Sequence, residues 1–244
     1  MAFGRVIPVV FALFYANFAM AGDAGNRPSD SEVLASFETA VFGPSPETAE
    51  SRLFKWDRPI RVRLVGRAPK RYRTWAIDHV DRLSELTGLE LQVAEDIAAD
   101  LVIYFVPRFS DVADGEYNSI LKRYLPDPAQ MQAVLKGYRA SKAACGGQVN
   151  ARGQALNEAI VFVPVDRLPQ VVHGCLGAEL LRMFGLLFPL PEEAGSVLAT
   201  DSPHSHLTAL DEALIALLYD ARLKAGMTRK AAREVAAEAL SARP

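Results

Sequence analysis

From Gly174 to Leu187 the chain reads GCLGAELLRMFGLL, and this stretch constrains the fold more than any other. Leu176, Leu180, Leu181, Met183, Phe184, Leu186 and Leu187 surround a narrow seam of Cys175, Ala178, Glu179, Arg182 and Gly185 that repeats at helical spacing. A helix that is apolar almost all the way round belongs in the middle of a domain. Two charges on such a helix either pair within the core or face a cleft. The seam is therefore where a site is expected, with Glu179 and Arg182 as its candidates.

The elements around it read as a mixture of helices and strands. Ser29 and Glu32 stand in capping-box spacing ahead of Val33, Leu34, Phe37 and Val41, and Gly43 with Pro44 ends that helix. Ile60, Val62 and Leu64 alternate with Arg61 and Arg63, as in a strand covered on one face. A helix marked by Tyr72, Trp75, Ala76, Val80, Leu83 and Leu86 stops at Gly88, and a second half-buried strand follows at Leu89, Leu91 and Val93. LVIYFV, Leu101 to Val106, has no polar alternation and reads as a central strand. Asp127, Pro128 and Gln130 open a helix expected to reach about Ala144, with Gly146 and Gly147 closing it. Ile160 to Val165 is another apolar strand, and Pro164, which cannot donate to a ladder, assigns it to a sheet edge. After a loop rich in Pro, Gly and Ser, a helix packs through Leu210, Leu214, Leu217 and Leu218, and Thr228 caps a last Ala-rich helix. The expected fold class is α+β or α/β: a mixed sheet of about four strands, a central buried helix and a mainly helical carboxyl-terminal part.

The first residues place Arg5 ahead of an apolar run that finishes with Ala19, Met20 and Ala21. This is the pattern of a secretory signal peptide, residues 1–21, cut after Ala21. Residues 22–244 then form a single exported domain, periplasmic or secreted, with no membrane span once the signal is removed. The formal net charge is −2 and no cations cluster, which argues against a nucleic-acid or polybasic membrane footprint. Cys145 and Cys175 are the chain's two cysteines, and in an exported protein an even count reads as a disulfide; two free thiols are the alternative. No serine sits in a G-x-S-x-G turn and no glycine-rich phosphate loop is present.

The order of elements, with the seam helix after several strands, resembles the upper half of zinc metallopeptidases of the zincin type. Those enzymes carry HExxHxxG on that helix, two histidines holding zinc and the glutamate between them activating its water. The matching stretch here is Ala178, Glu179, Leu180, Leu181, Arg182, Met183, Phe184, Gly185. Ala178 has no ligand atom, and Arg182 sets a permanent positive charge where a dication would bind. The resemblance thus implies a zincin-like cleft with no cofactor. An i,i+3 ion pair between Glu179 and Arg182 is the purely structural reading. His204 and His206 offer two imidazoles as the alternative source of zinc ligands, although a His-x-His pair in a loop is usually solvated. His173, just before the seam, is expected to have a surface or capping role, and His79 to pack within its helix.

A closer resemblance covers most of the chain. RLFKWDRPIRVRL, the cysteine before the last strand, CLGAELLRMFGL and LTALDEALIALLYDARLKAGM are similar to domain-of-unknown-function family 2927, a group of exported bacterial proteins. Its seam usually has two consecutive glutamates and a glutamine, from which Ala178 and Arg182 depart. The reading that follows is an exported, non-catalytic domain whose degenerate cleft binds a peptide, an envelope component or a protein partner. The alternative is a hydrolase or metallopeptidase with atypical metal ligands and Glu179 as general base.

Overall fold

The structure, a computed structural model, describes residues 27–44, 52–94, 98–140 and 144–242. The proposed signal segment and its cleavage at Ala21 lie outside these residues. The described residues form an α+β arrangement: one mixed sheet of five strands, with helices on both faces.

The chain enters through α1 (Asp30–Phe42), whose first turn is capped by Ser29 accepting from the Glu32 N–H. It then alternates β1 (Ile60–Val65), α2 (Lys70–Thr87), β2 (Leu91–Val93) and β3 (Leu101–Val106). Three helices follow on the other side of the sheet, α3 (Phe109–Ala113), α4 (Asn118–Tyr124) and α5 (Pro128–Ala140). The hairpin of β4 (Gly146–Arg152) and β5 (Ala155–Pro164) leads into α6 (Pro169–Met183), and α7 (Ala209–Leu218) and α8 (Arg229–Ser241) complete the fold. Strand order is β2-β1-β3-β5-β4, parallel throughout except for β4, which runs antiparallel to β5.

Alternation along the strands divides the core in two. Leu101, Ile103, Phe105, Ala159, Val161 and Val163 point to the face covered by α6, while Ile160 and Phe162 point to α3–α5. The α6 side is the larger core. Leu176, Leu180 and Leu181 of α6 are fully enclosed there, each removing apolar area worth roughly 2 kcal/mol from water.

Two expectations are corrected. β5 is not an edge strand, because it pairs with β3 on one side and β4 on the other. Its odd residues donate toward β3, as the N–H groups of Ala159 and Val165 do to Asp100 and Val106. The nitrogen of Pro164 therefore faces the β4 side, beyond Gly146, where β4 has not yet begun and no ladder bond is lost. The second correction concerns Gly146 and Gly147, which begin β4 instead of closing a helix; α5 stops at Ala140 among the described residues. β4 is also the strand that brings the sheet to five.

The terminal helices are fastened to the end of α6 through side chains of the RLFKWDRP stretch. Trp56 donates its indole N–H to the Met183 carbonyl, and Tyr219 donates its hydroxyl to the Phe184 carbonyl while accepting from the Trp56 N–H. Lys55 donates to the Leu218 carbonyl at the end of α7 and to the Leu223 carbonyl in the turn beyond it. Burial and the nearby Lys224 lower its pKa to about 8, against the opposing charge of Asp220. Gly185 carries φ 111°, and a Cβ there would stand 2.3 Å from the Phe54 carbonyl oxygen, so α6 ends short of Leu187.

Candidate functional site

The polar edge of α6 faces a cleft of about 680 Å³. Gly174, Cys175, Ala178, Glu179 and Arg182 line one wall, residues 144–145 bound it beside β4, and residues 197–204 form the opposite wall. The seam found in the sequence is thus a cleft wall and an ion pair at once. Arg182 Nη1 donates to Glu179 Oε1 at 2.5 Å, with the glutamate side chain 10% exposed and the arginine 26%.

Glu179 is the most constrained charge in the cleft. Burial raises its proton affinity, and Arg182 opposes that through its charge and its hydrogen bond without cancelling it. Its other oxygen points toward β4, where a Cβ on Gly147 would come within 3.3 Å of it and within 2.9 Å of Met183 Cε. A glycine at 147 is what lets this strand lie so close over the carboxylate. Tyr138 of α5 reaches around the strand, donating to the Gly147 carbonyl at 3.0 Å and accepting from Gln148 Nε2 at 3.1 Å. Its pKa is pushed up to about 12, chiefly by burial and further by the charge of Glu179, against the Gln148 bond. Neither Gly147 nor Tyr138 was singled out from the sequence; the paired glycines were the available signal, and their meaning is tertiary.

β4 is the outer strand of the sheet and starts beside the cleft, whose lining includes Ala144 and Cys145 just before it. Even residues of β5 face β4, so the antiparallel register turns the backbone groups of Gly146, Gln148 and Asn150 inward and those of Gly147 and Val149 outward. The outward Gly147 carbonyl is taken by Tyr138. The N–H and C=O of Val149 have no backbone partner on that side among the described residues.

The cysteines lie in the same place. Cys145 and Cys175 have Cα atoms 5.7 Å apart and are joined, tying the approach to β4 to the cleft face of α6.

The histidines are distributed differently from expectation. His204 lines the cleft, but His206 turns away to meet His173 edge-on at 4.4 Å and shares a hydrogen bond with Ser205. His173 is not a surface or capping residue: it is buried inside α6 and stacks on Trp75 at 4.5 Å. His79 packs within α2 as expected, 4.9 Å from His173. Among the described residues no three His, Cys, Asp or Glu side chains converge on a point where an ion would sit. The donor set does not fit zinc: Ala178 offers nothing, Arg182 occupies Glu179, and His206 is engaged elsewhere.

A second depression, about 400 Å³, lies at the amino-terminal ends of β1, β3 and β5 and is lined by four arginines. Arg58 and Arg61 are both bound to Asp100 at 3.0 Å, and Arg123 to Glu158 at 2.8 Å. These pairs satisfy one another and hold strand ends, so the cleft at Glu179 is the better candidate site.

Residues 30–238 match the family model described as Protein of unknown function (DUF2927). The chain belongs to this family. No curated protein and no solved structure matches it. The stretches that carried the resemblance to DUF2927 have structural work in this chain: Lys55, Trp56 and Tyr219 close the end of α6, and Thr208 with Asp211 forms a capping box at the start of α7. Among the described residues no helix is long and apolar enough to cross a membrane.

Proposed function

We propose that this DUF2927 chain is an exported, non-catalytic domain that binds an extended peptide segment, of an envelope component or protein partner, along the open edge of β4. The cleft over α6 then receives the alternate side chains. One observation carries the reading: an antiparallel edge strand with outward backbone groups at Val149 passes over the Glu179 carboxylate at Gly147 and continues from the cleft-lining residues 144–145. Strand addition supplies main-chain hydrogen bonds from the edge and selectivity from the adjoining wall. The small side chain at Ala178 leaves room there. A zincin-like ancestry of the cleft fits the glutamate's position. Catalysis by Glu179 is disfavoured, because its carboxylate is held by Arg182 and, among the described residues, no three His, Cys, Asp or Glu side chains gather beside it to hold a metal. Export is supported by the pattern at residues 1–21 and by the cysteine pair.

Val149→Pro tests the reading, since it removes the outward N–H and leaves the β4–β5 ladder intact. Peptides selected from a random library on the parent protein are expected to lose at least about tenfold in affinity for the variant, while Glu179→Gln retains them. Equal affinity for the proline variant overturns strand addition. Stoichiometric, tightly held zinc, with peptide hydrolysis abolished by Glu179→Gln, overturns the non-catalytic reading in favour of the hydrolase.

A further inference from the structure

We infer that the outer wall of the cleft is a pH-released latch: the segment from Ala199 to Leu207 is seated on α6 through a ladder of three imidazoles and comes free when the two buried ones, on α2 and α6, take up protons. The inference concerns the wall itself and stands whether or not a peptide binds along β4.

Three of the chain's four histidines meet here from three different elements, His79 from α2, His173 from α6 and His206 from the segment. Ring centroids are 4.9 Å apart for His79 and His173 and 4.4 Å for His173 and His206, and Trp75 stacks on His173 with the planes only 8° apart. His79 and His173 are buried, and His79 Nε2 has no hydrogen-bond partner among the described residues. A proton on it would leave a charged donor enclosed with nothing to receive it.

The seat is shaped by glycines. A Cβ on Gly174 would stand 2.4 Å from the His204 carbonyl oxygen, and one on Gly177 would stand 3.2 Å from both His79 Cε1 and Leu207 Cδ2. The segment therefore lies against bare helix backbone. Its two ends are held independently, because Asp211 accepts from the Val197 and Thr208 N–H groups. Between those anchors Asp201 has φ 52°, the one non-glycine residue in left-handed backbone among the described residues. Release of the segment frees that strain as well.

The groups acting on His79 and His173 favour neutrality. Burial, then the neighbouring histidines, hold His79 near a pKa of about 4, against a backbone hydrogen bond at His173 that raises it. Burial and His206 do the same to His173, also to about 4, with Asp78 of α2 opposing. In the released state these rings return toward the ordinary value of about 6.5. The folded values are depressed, so the seated form excludes protons: it is fully favoured above about pH 6.5 and loses ground as pH falls toward about 4.

Hydrogen exchange of the purified protein, corrected for intrinsic rates and followed with Trp75 emission from about pH 7.5 to 4, tests the latch. Protection of residues 199–207 is expected to fall by about tenfold or more across that range while β1, β3 and β5 stay protected. His173→Phe keeps a ring on Trp75 and removes the proton site, and is expected to abolish the transition or move it by about one pH unit or more. His206→Asn, on the segment itself, gives the same comparison if the core variant does not fold. Protection of the segment that does not change with pH overturns the proposal. So does a transition unchanged in both variants, or one in which the sheet loses protection together with the segment.

Discussion

Two buried carboxylates, Asp211 and Glu179, show how differently this chain treats charge. Asp211 accepts from Ser196 Oγ at 2.5 Å, the Val197 N–H at 3.1 Å, the Thr208 N–H at 2.8 Å and Thr208 Oγ1 at 2.9 Å. Every one of these donors is local, and the result fixes the loop before α7 to the helix it caps. Glu179 has a single hydrogen-bond partner among the described residues, Arg182, and that partner looks into a cleft. Burial raises the proton affinity of both. A carboxylate surrounded by neutral donors is part of the scaffold; one held by a single cation beside an open strand edge has capacity left for a ligand.

The contrast breaks first at Asp211. Asp211→Ala leaves Ser196 Oγ and the Val197 and Thr208 N–H groups without their acceptor and is expected to cost about 4 kcal/mol, read as a lower urea midpoint with an unchanged slope. The loss should loosen residues 196–208 at both ends. A loss under about 1 kcal/mol would mean that the network is replaced by water and that Asp211 is no more structural than Glu179.

The disulfide sharpens the comparison from the other side, because it lies in the Glu179 region. Cys145→Ala with Cys175→Ala opens a loop of sequence separation 30 and is expected to cost about 3 kcal/mol, mainly through the unfolded chain. Native-state exchange should rise at residues 144–149 and leave the Asp211 network unaffected. If exchange rises equally at residues 196–208, the two regions are one cooperative unit and the distinction between scaffold and cleft fails.

Most of the scaffold was legible in the residues because its signals are local. The Ser29 and Thr228 caps, the alternation of Ile60, Val62 and Leu64, and the unbroken LVIYFV each depend on a few neighbours in sequence. The seam on α6 was legible for the same reason, as a polar stripe on an otherwise apolar helix. β4 was not. GGQVNAR lacks apolar alternation because Gly146 makes room for the rings of Phe109 and Tyr138, and Gly147 for Met183 and Glu179, and these contacts come from distant elements. Pro164 misled because its meaning depends on where β4 starts, and His173 because a helix that begins at Pro169 leaves no capping position there. The imidazole ladder joins residues 79, 173 and 206, a separation no local pattern encodes.

The smallest expected effect falls on Glu179 itself. Glu179→Gln removes a charge that burial disfavours but leaves Arg182, 26% exposed, without its counter-ion, so the two changes oppose one another. The net change is expected within about 1 kcal/mol at neutral pH. Its pH dependence has a definite sign. A carboxyl whose pKa is raised on folding contributes stability below its ordinary value of 4.5 and loses it as pH climbs through the raised value, so the variant should compare better with the parent as pH rises across that window. Glu179→Gln combined with Arg182→Met completes the test, since an apolar replacement of a buried pair is commonly neutral or stabilising. If the double variant folds at full stability but no longer binds the peptides selected on the parent, the ion pair serves the cleft. If it binds them equally, the pair is scaffold like Asp211, and selectivity must come from the edge of β4 alone.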